Sequence, residues 1–397
     1  MILLSGGGTG GHVYPAVAIA EALRRRWPDV RLVFVGIRGR AEEAIVPKLG
    51  FELRFVPASG MPALSDLPGQ LRFAATLARG VRAARALLDE LQPAAVVGTG
   101  GYASAPVLLA AVGAVFPRAR QKRPATFVHE QNAVPGKLNR LVGRRVDRVG
   151  VTFPESLRFF PKNRALHTGY PLRTQIGGID RAEARRRLGL PADAFVLLAF
   201  GGSLGARTIN RGLAGALPAL LAEPGVVVLH GTGRYSGSDY DPAADTVAAV
   251  DRAGLPAELR ARYRPQEFLD PIGDYYAAAD LVVCRAGAGT LAEVQGLGLP
   301  AIVIPKRGLP GDHQTANAKS LEQTGAARVV LEHLVDDPHS GRIDAIDPAE
   351  LARLALELRA DPAARRAMGE RVRALHVAGA ADLIADEVAR LVPQPES

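Results

Sequence analysis

The sequence predicts an α/β protein built from two doubly wound parallel sheets, and three observations predict it. Short continuous apolar runs alternate with amphipathic stretches along the chain. Such runs suit strands buried on both faces of a parallel sheet, and strands alternating with helices argue for βαβ units. The pattern restarts near the middle, after HTGYPLRTQI (His167 to Ile176), and strand–glycine loop–helix occurs twice in each half. At 397 residues the chain is long enough for two independent cores.

The first apolar run, Ile2–Leu4, leads into SGGGTGGHVYPA, Ser5 to Ala16. Gly6, Gly8 and Gly11 match G-x-G-x-x-G between a strand and a helix. A dinucleotide site also wants an acidic residue at the end of the second strand. The second run, Arg31–Val35, continues into GIRGR with none, although Arg38 and Arg40 would suit the 2′-phosphate of NADP. No Gly-Lys-Ser/Thr occurs, so a Walker A loop is excluded. The general chemistry survives: glycines let backbone N–H groups approach an anion, and the next helix presents its positive end. Thr9 adds a hydroxyl. His12 stands at that helix start, where a neutral imidazole able to take a proton is favoured. A capping or core histidine is the bland alternative.

After SGMPALSDLPG a helix places Ala74, Leu77, Val81, Ala84 and Leu88 on one face, with Arg72, Arg79, Arg82 and Arg85 opposite or flanking. This reads as an amphipathic helix packed on the core. The sharper alternative is a membrane-surface patch with Met61, Leu64, Leu67 and Phe73 near lipid. The uncharged stretch Leu91–Pro117 has the length of a membrane span. Its first half, VVGTGGYASAP, is too polar and turn-rich for lipid. It reads as the strand Ala94–Val97, a glycine loop and a helix. Strands Thr126–Val128 and Val146–Val151 follow, and VHEQNAVPGKLN sets His129, Glu130, Gln131 and Asn132 together at a strand end.

In the second half an arginine-rich helix, Arg181–Leu188, precedes strands at Phe195–Phe200, Val226–His230, Leu281–Cys284 and Ala301–Ile304. The glycine loops of the chain fall in Leu4–Val13, Val97–Ala105, Phe200–Asn210 and Cys284–Glu293. Glu293 lies one turn inside a helix, placed to accept ribose hydroxyls or merely to favour the helix dipole. Gln314 and Asn317 share a helix face, and amides of this kind read sugar hydroxyls. Asp239 and Asp241 form a D-x-D, here in a loop of turn composition that reads as solvated rather than metal-binding. Ile384, Val388 and Leu391 give the tail, Ala380–Val392, helical spacing.

The single cysteine, Cys284, allows neither an internal disulfide nor a zinc cluster. The N-terminus has no basic region ahead of its apolar run, so no signal peptide is expected. The net charge of +9 favours an anionic partner, although the excess arginine is spread along the chain. Aromatics make up 5% with no basic–aromatic ladder, which argues against nucleic acid.

Eight segments in order closely resemble the MurG family: GGGTGGHVYPA, GTGGYASAP, HEQNAVPG, TGYPLR, GGSLGAR, EFLDPI, CRAGAGTLAE and GDHQTANA. They span nearly the whole chain. The resemblance implies a GT-B fold, two Rossmann-like doubly wound parallel-sheet domains with an interdomain cleft. Residues 1–166 would take the acceptor and membrane, residues 167–376 the donor, and 377–397 would form a helix returning to the N-terminal domain. It implies an inverting transfer of GlcNAc from UDP-GlcNAc to the C4 hydroxyl of MurNAc in undecaprenyl-pyrophosphoryl-MurNAc-pentapeptide, converting lipid I to lipid II. No cofactor and no metal is implied.

By the same resemblance, His12 is the first choice for the catalytic base and Glu130 the second. Ser203 and the Ala288, Gly289 and Thr290 loop would meet the UDP phosphates, with Leu291 and Ala292 adjoining and Glu293 on the ribose. Leu269 would lie by the uracil, and Gln314 would read the GlcNAc with Asn317 beside it. Asn132 and Arg173 would reach the donor across the cleft, bordered by Thr9, Gly10 and Gly11. The acceptor diphosphate would rest on Gly8, Thr9, Gly10 and His12 and on Thr99, Gly100, Gly101, Tyr102 and Ser104. Gly289 leaves its loop without a bulky side chain, so no apolar contact is implied there. A peripheral place on the cytoplasmic face of the inner membrane is implied, with an anionic surface and cell-wall synthesis and division proteins as partners. A UDP-GlcNAc epimerase, a transferase acting on another lipid acceptor such as diacylglycerol, and a non-catalytic nucleotide-sugar-binding or scaffold protein are the alternatives.

Overall fold

Two parallel sheets organise the computed structural model, which describes residues 1–8, 10–63, 65–113, 123–172, 177–235, 237, 240–337 and 341–392. The chain divides into two units, Met1–Arg173 with Val377–Ser397, and Thr174–His376.

Unit 1 begins with β1 (Ile2–Gly6), α1 (Gly10–Arg26), β2 (Leu32–Gly36), α2 (Ala41–Lys48), β3 (Glu52–Phe55) and α3 (Leu67–Leu91). It continues with β4 (Ala95–Gly100), α4 (Ser104–Ala111), β5 (Ala125–Glu130), α5 (Lys137–Val142), β6 (Arg148–Val151) and β7 (Ala165–His167). Among the described residues the sheet order is β3-β2-β1-β4-β5-β6-β7, parallel throughout. The order reverses between β1 and β4, and ligands of such sheets bind outside the strand ends at that point. Ile2 pairs with Leu32 on one side and Ala95 on the other, so β1 is buried on both faces and both edges. That burial is why an uninterrupted Ile-Leu-Leu run serves there.

Unit 2 contains α6 (Arg181–Arg187), β8 (Phe195–Phe200), α7 (Arg207–Ala222), β9 (Val226–Gly231), α8 (Pro242–Arg252), β10 (Tyr263–Gln266) and α9 (Ile272–Ala278). Then come β11 (Leu281–Cys284), α10 (Ala288–Leu297), β12 (Ala301–Val303), α11 (His313–Gln323) and β13 (Arg328–Val329). The hairpin β14 (His333–Asp337) and β15 (Gly341–Ala345) and the helices α12 (Pro348–Ala360) and α13 (Pro362–Ala374) complete it. The sheet order is β10-β9-β8-β11-β12-β13, reversing between β8 and β11. All four glycine loops therefore lie at the carboxyl ends of the strands that flank the two reversals.

The last helix, α14 (Ala380–Leu391), belongs to unit 1. Ile384, Ala385 and Val388 join the core made by α1 and β1, fully burying apolar side chains at roughly 1.5–3 kcal/mol for each large one. Arg25 and Arg26 at the end of α1 pair with Asp382 and Asp386 at its rim. These exposed pairs set orientation more than stability.

Helix α3 departs from expectation in its first turns. Val81, Ala84 and Leu88 are buried as expected, but Ala74 is exposed. The reason is length: 25 residues make a helix of roughly 37 Å, against about 20 Å for a strand like β4. The overhanging end carries Leu67 and Leu71, which are 71% and 75% exposed, with Met61 half exposed nearby in sequence. Phe73 is half-buried, and Leu64 lies outside the described residues. Among the described residues, no helix is long and apolar enough to cross a membrane.

One buried polar chain ties the unit 2 sheet together. Asn210 Nδ2 donates to the Thr232 carbonyl at 2.9 Å, which turns its Oδ1 toward His230 Nε2 at 3.1 Å. Nε2 is therefore the donor, and Nδ1 accepts from the Tyr263 hydroxyl at 2.8 Å. Burial pushes His230 down from 6.5 to about 3. The unfolded chain takes up a proton that the native state refuses, so this stability is present above pH 6.5 and is lost as pH falls toward about 3. Replacing His230 by Asn should lower the urea midpoint at pH 7, with a smaller deficit at pH 5. A deficit that is constant or grows toward pH 5 contradicts the assignment.

Candidate active site

In unit 1 the site is built on the ends of β1 and β4. His12 lies in the first turn of α1, and its Nδ1 is 3.0 Å from the Thr99 carbonyl oxygen. A carbonyl only accepts, so Nδ1 carries the proton and the basic lone pair is on Nε2. Thr99 returns the contact: its Oγ1 donates to the His12 carbonyl at 2.7 Å. The Thr99 carbonyl also accepts from Gln131 Nε2 at 2.8 Å.

Glycine is required where the loops meet. A Cβ at Gly101, where φ is +79°, would lie 2.0 Å from the Gly7 carbonyl oxygen, and one at Gly6 would lie 1.8 Å from Thr99 Oγ1. The expected acceptor residues then separate by what each offers. Gly10, Gly11 and Gly100 offer main chain, the Gly8 N–H is donated to Glu42 Oε2 at 2.9 Å, and Tyr102, 52% exposed, stands beside Gly8. Ser104 is fully buried, and its hydroxyl shares its one proton between the Ser5 and Gly100 carbonyl oxygens, 2.6 and 2.7 Å away. The hydroxyls of Thr99 and Ser104 are thus spent inside the fold.

Glu130, at the end of β5, is also buried. Oε1 accepts from the Asn132 N–H at 2.9 Å and from Asn132 Nδ2 at 3.3 Å. Oε2 accepts from the Gly136 N–H at 3.1 Å and from Asn139 Nδ2 at 2.9 Å. Burial pushes its carboxyl up, and these donors work against that shift. The carboxylate clamps the 131–136 loop and with it Asn132. Asn139 was not singled out by the sequence; its spacing is that of any helix residue. It is buried beside Glu130, and its Oδ1 meets no partner among the described residues.

In unit 2 the ends of β8 and β11 carry the matching loops. Ser203 is exposed, and its carbonyl accepts the Arg234 N–H at 2.8 Å. Gly205, with φ at +77°, passes so near that a Cβ would lie 2.1 Å from the Thr232 carbonyl oxygen. Ala288, Gly289 and Thr290 form the half-exposed first turn of α10, whose N–H groups have no carbonyl within the helix. Leu291 and Ala292 are buried, so they offer only main chain. Glu293 is half-buried and its Oε2 accepts from the Tyr276 hydroxyl at 2.6 Å. Burial raises both this carboxyl and the Tyr276 phenol.

Leu269 is buried against Gly231, where a Cβ would lie 2.8 Å from its Cδ1. Gln314 is half-buried and its Oε1 accepts the Lys306 N–H at 2.9 Å, which leaves its NH2 as the group to offer. Asn317 is fully buried, and its Nδ2 donates to the Ala286 carbonyl at 3.1 Å. It braces the loop before α10 from behind. Asp241 caps α8, accepting from the Ala243 and Ala244 N–H groups at 2.9 and 3.0 Å. Thr9, Arg173 and Asp239 lie outside the described residues. Among the described residues no cluster of His, Cys, Asp and Glu has the make-up of a metal site.

The description "Glycosyltransferase family 28 N-terminal domain" fits residues 2–151, and the corresponding C-terminal domain fits residues 196–368. A protein of Geobacter sulfurreducens is 39% identical over 389 residues, covering 98% of this chain and 97% of its own length. It is named UDP-N-acetylglucosamine--N-acetylmuramyl-(pentapeptide) pyrophosphoryl-undecaprenol N-acetylglucosamine transferase. The chain belongs to the MurG family. The crystal structure of Acinetobacter baumannii MurG superposes with a TM-score of 0.69 at 26% identity, covering 98% of this chain and 99% of that one. This is the GT-B pairing of Rossmann-like domains. A UDP-GlcNAc 2-epimerase from Neisseria meningitidis shares the fold alone, with a TM-score of 0.64 at 10% identity and coverage of 98% and 100%.

In this MurG-family chain the Glu130 clamp is open to a stability test. Glu130→Gln keeps the volume but turns an NH2 toward two of the four donors. It should cost about 2–6 kcal/mol in urea unfolding at pH 7, at roughly 1–3 kcal/mol for each buried donor left unsatisfied. Unchanged stability would contradict the clamp.

Proposed function

We propose that this chain is an inverting N-acetylglucosaminyltransferase that moves GlcNAc from UDP-GlcNAc to the C4 hydroxyl of MurNAc in lipid I, forming lipid II for peptidoglycan. The names of relatives matched over nearly their full length support the reaction. The observation that carries the chemistry is the Nδ1 bond of His12 to the Thr99 carbonyl.

The steps follow from that bond. His12 Nε2 takes the proton of the acceptor hydroxyl as its oxygen attacks the anomeric carbon. The bond from that carbon to the UDP oxygen breaks with its electron pair, so UDP departs from the opposite face and the linkage inverts. The Thr99 carbonyl steadies the imidazolium through Nδ1. On the donor, the first turn of α10 and the Ser203 loop offset the charge of the leaving diphosphate. Glu293 holds the ribose with Tyr276 bracing it, and Gln314 reads the sugar with its NH2.

On the acceptor, the α1 first turn and the Gly100–Tyr102 loop hold the lipid diphosphate. Glu130 is assigned to the loop that carries Asn132, and the proton to His12. The exposed Leu67 and Leu71, together with Met61 and the flanking Arg72 and Arg79, suit insertion at an anionic leaflet. The proposed place is therefore peripheral, on the cytoplasmic face of the inner membrane.

UDP release tests the reading, measured from UDP-GlcNAc with and without a short-chain lipid I analogue, EDTA present throughout. Release should require the analogue and persist in EDTA. His12→Ala should lower kcat by roughly 10²–10⁴-fold, the usual contribution of a general base, with its melting temperature retained. No wild-type release with the analogue contradicts the reaction, and an active His12→Ala removes His12 as the base.

A further inference from the structure

The segment after β2 carries a buried acid that the reaction above does not use. Glu42 lies in the first turn of α2 and is 1% exposed. Its carboxylate reaches back over two strand ends. Oε2 accepts the Gly8 N–H at 2.9 Å and Oε1 accepts the Ile37 N–H at 2.9 Å. One donor belongs to the turn that follows β1, the other to the residue just past β2.

Glycine makes room for it on both sides. A Cβ at Gly7 would lie 2.4 Å from Glu42 Oε1, and one at Gly36 would lie 2.4 Å from Glu42 Cγ. The opposite side of the same turn is closed just past β4, where Gly101 approaches the Gly7 carbonyl. The turn is thus gripped between a carboxylate on the β2 side and the end of β4 on the other. Two of the glycines in and around the opening motif serve to seat an acid.

This changes what the turn has to offer an anion. The Gly8 N–H is already donated, and the acceptor is negatively charged, so a phosphate is repelled from that donor. It also separates the loop from a dinucleotide site, in which the acid past β2 binds a ribose and the turn is left to the pyrophosphate. The donors that remain are the first N–H groups of α1, Gly10 and Gly11 among them. We propose that Glu42 is a positioning residue for the acceptor diphosphate, fixing the Gly6–Gly8 turn and reserving the Gly8 N–H so that the anion is held by the start of α1. The assignment rests on the reading of this loop as the acceptor's diphosphate site.

Two measurements test it. Glu42→Gln keeps the volume and one acceptor oxygen but sets an NH2 against one N–H. The KM for the lipid I analogue should rise about tenfold, the scale of one lost charge-assisted hydrogen bond, while the KM for UDP-GlcNAc stays within about twofold. Glu42→Asp, which keeps the carboxylate, should recover part of the loss. A lower acceptor KM in Glu42→Gln would mean that the carboxylate competes with the diphosphate, and would overturn the proposal. A fall in melting temperature with both KM values unchanged would reduce Glu42 to a structural residue and overturn it equally.

The second measurement needs no variant. In wild-type protein labelled with 15N-glycine and titrated with inorganic pyrophosphate, the Gly10 and Gly11 amide resonances should shift and that of Gly8 should stay. A Gly8 resonance that moves most would overturn the proposal. Wild-type turnover of the analogue in the same kinetic series separates failure of this assignment from failure of the reaction assignment.

Discussion

The carbonyl of Thr99 is the point on which the strand-end loops of unit 1 depend. It accepts from His12 and from Gln131, while the Thr99 hydroxyl donates back to the His12 carbonyl. Three segments distant in sequence are stitched together at one residue: the opening helix, the end of β4 and the loop after β5. The stitch sets the histidine tautomer and joins the two loops at the reversal of strand order. It also explains why Gly6 lacks a side chain, since its Cβ would lie 1.8 Å from Thr99 Oγ1 and 2.6 Å from the His12 carbonyl oxygen. A buried carbonyl with two donors satisfies itself fully, which makes this arrangement stiff rather than adjustable.

The two units solve the same problem with the same strand order and different polar bracing. In unit 1 carboxylates hold the loops: Glu42 on the first turn and Glu130 on the turn after β5. In unit 2 amides and an imidazole share the bracing with a carboxylate: Asn210 and His230 sit behind the Gly201–Gly205 loop, Asn317 behind Ala286, and buried Glu332 pairs with Arg285 and accepts the Arg307 N–H at 2.7 Å. The unit 1 acids are tolerated because each is buried and each of its oxygens accepts at least one N–H donor.

Much of this fold was legible from the chain alone, and the failures have physical causes. The central strands were readable because strands buried on both faces must be continuously apolar. The edge strands Glu52–Phe55, Tyr263–Gln266 and Arg328–Val329 were missed because one edge meets water and admits Glu, Arg and Gln. The four glycine loops were visible, but not the reason for each glycine. Gly7 and Gly36 face Glu42, a residue that reads locally as an ordinary acid in a helix's first turn, with its partner Gly8 34 residues away. The polar residues of Thr99, Ser104 and Asn317 look alike in sequence to ligand-binding groups; only burial shows that their side chains are spent on the backbone. The stripe on α3 had the right period and the wrong extent, since the overhang depends on the length of a strand elsewhere.

The central claim is that the proton of neutral His12 sits on Nδ1 and the lone pair on Nε2. The most direct measurement is the pair of imidazole 15N chemical shifts of His12 in the folded enzyme at neutral pH. A pyrrole-type shift is expected at Nδ1 and a pyridine-type shift at Nε2, unchanged when Glu130 is replaced by Gln. A pyridine-type shift at Nδ1 would contradict the claim, because the Thr99 carbonyl would then face a lone pair and Nε2 would have no capacity to take the acceptor's proton.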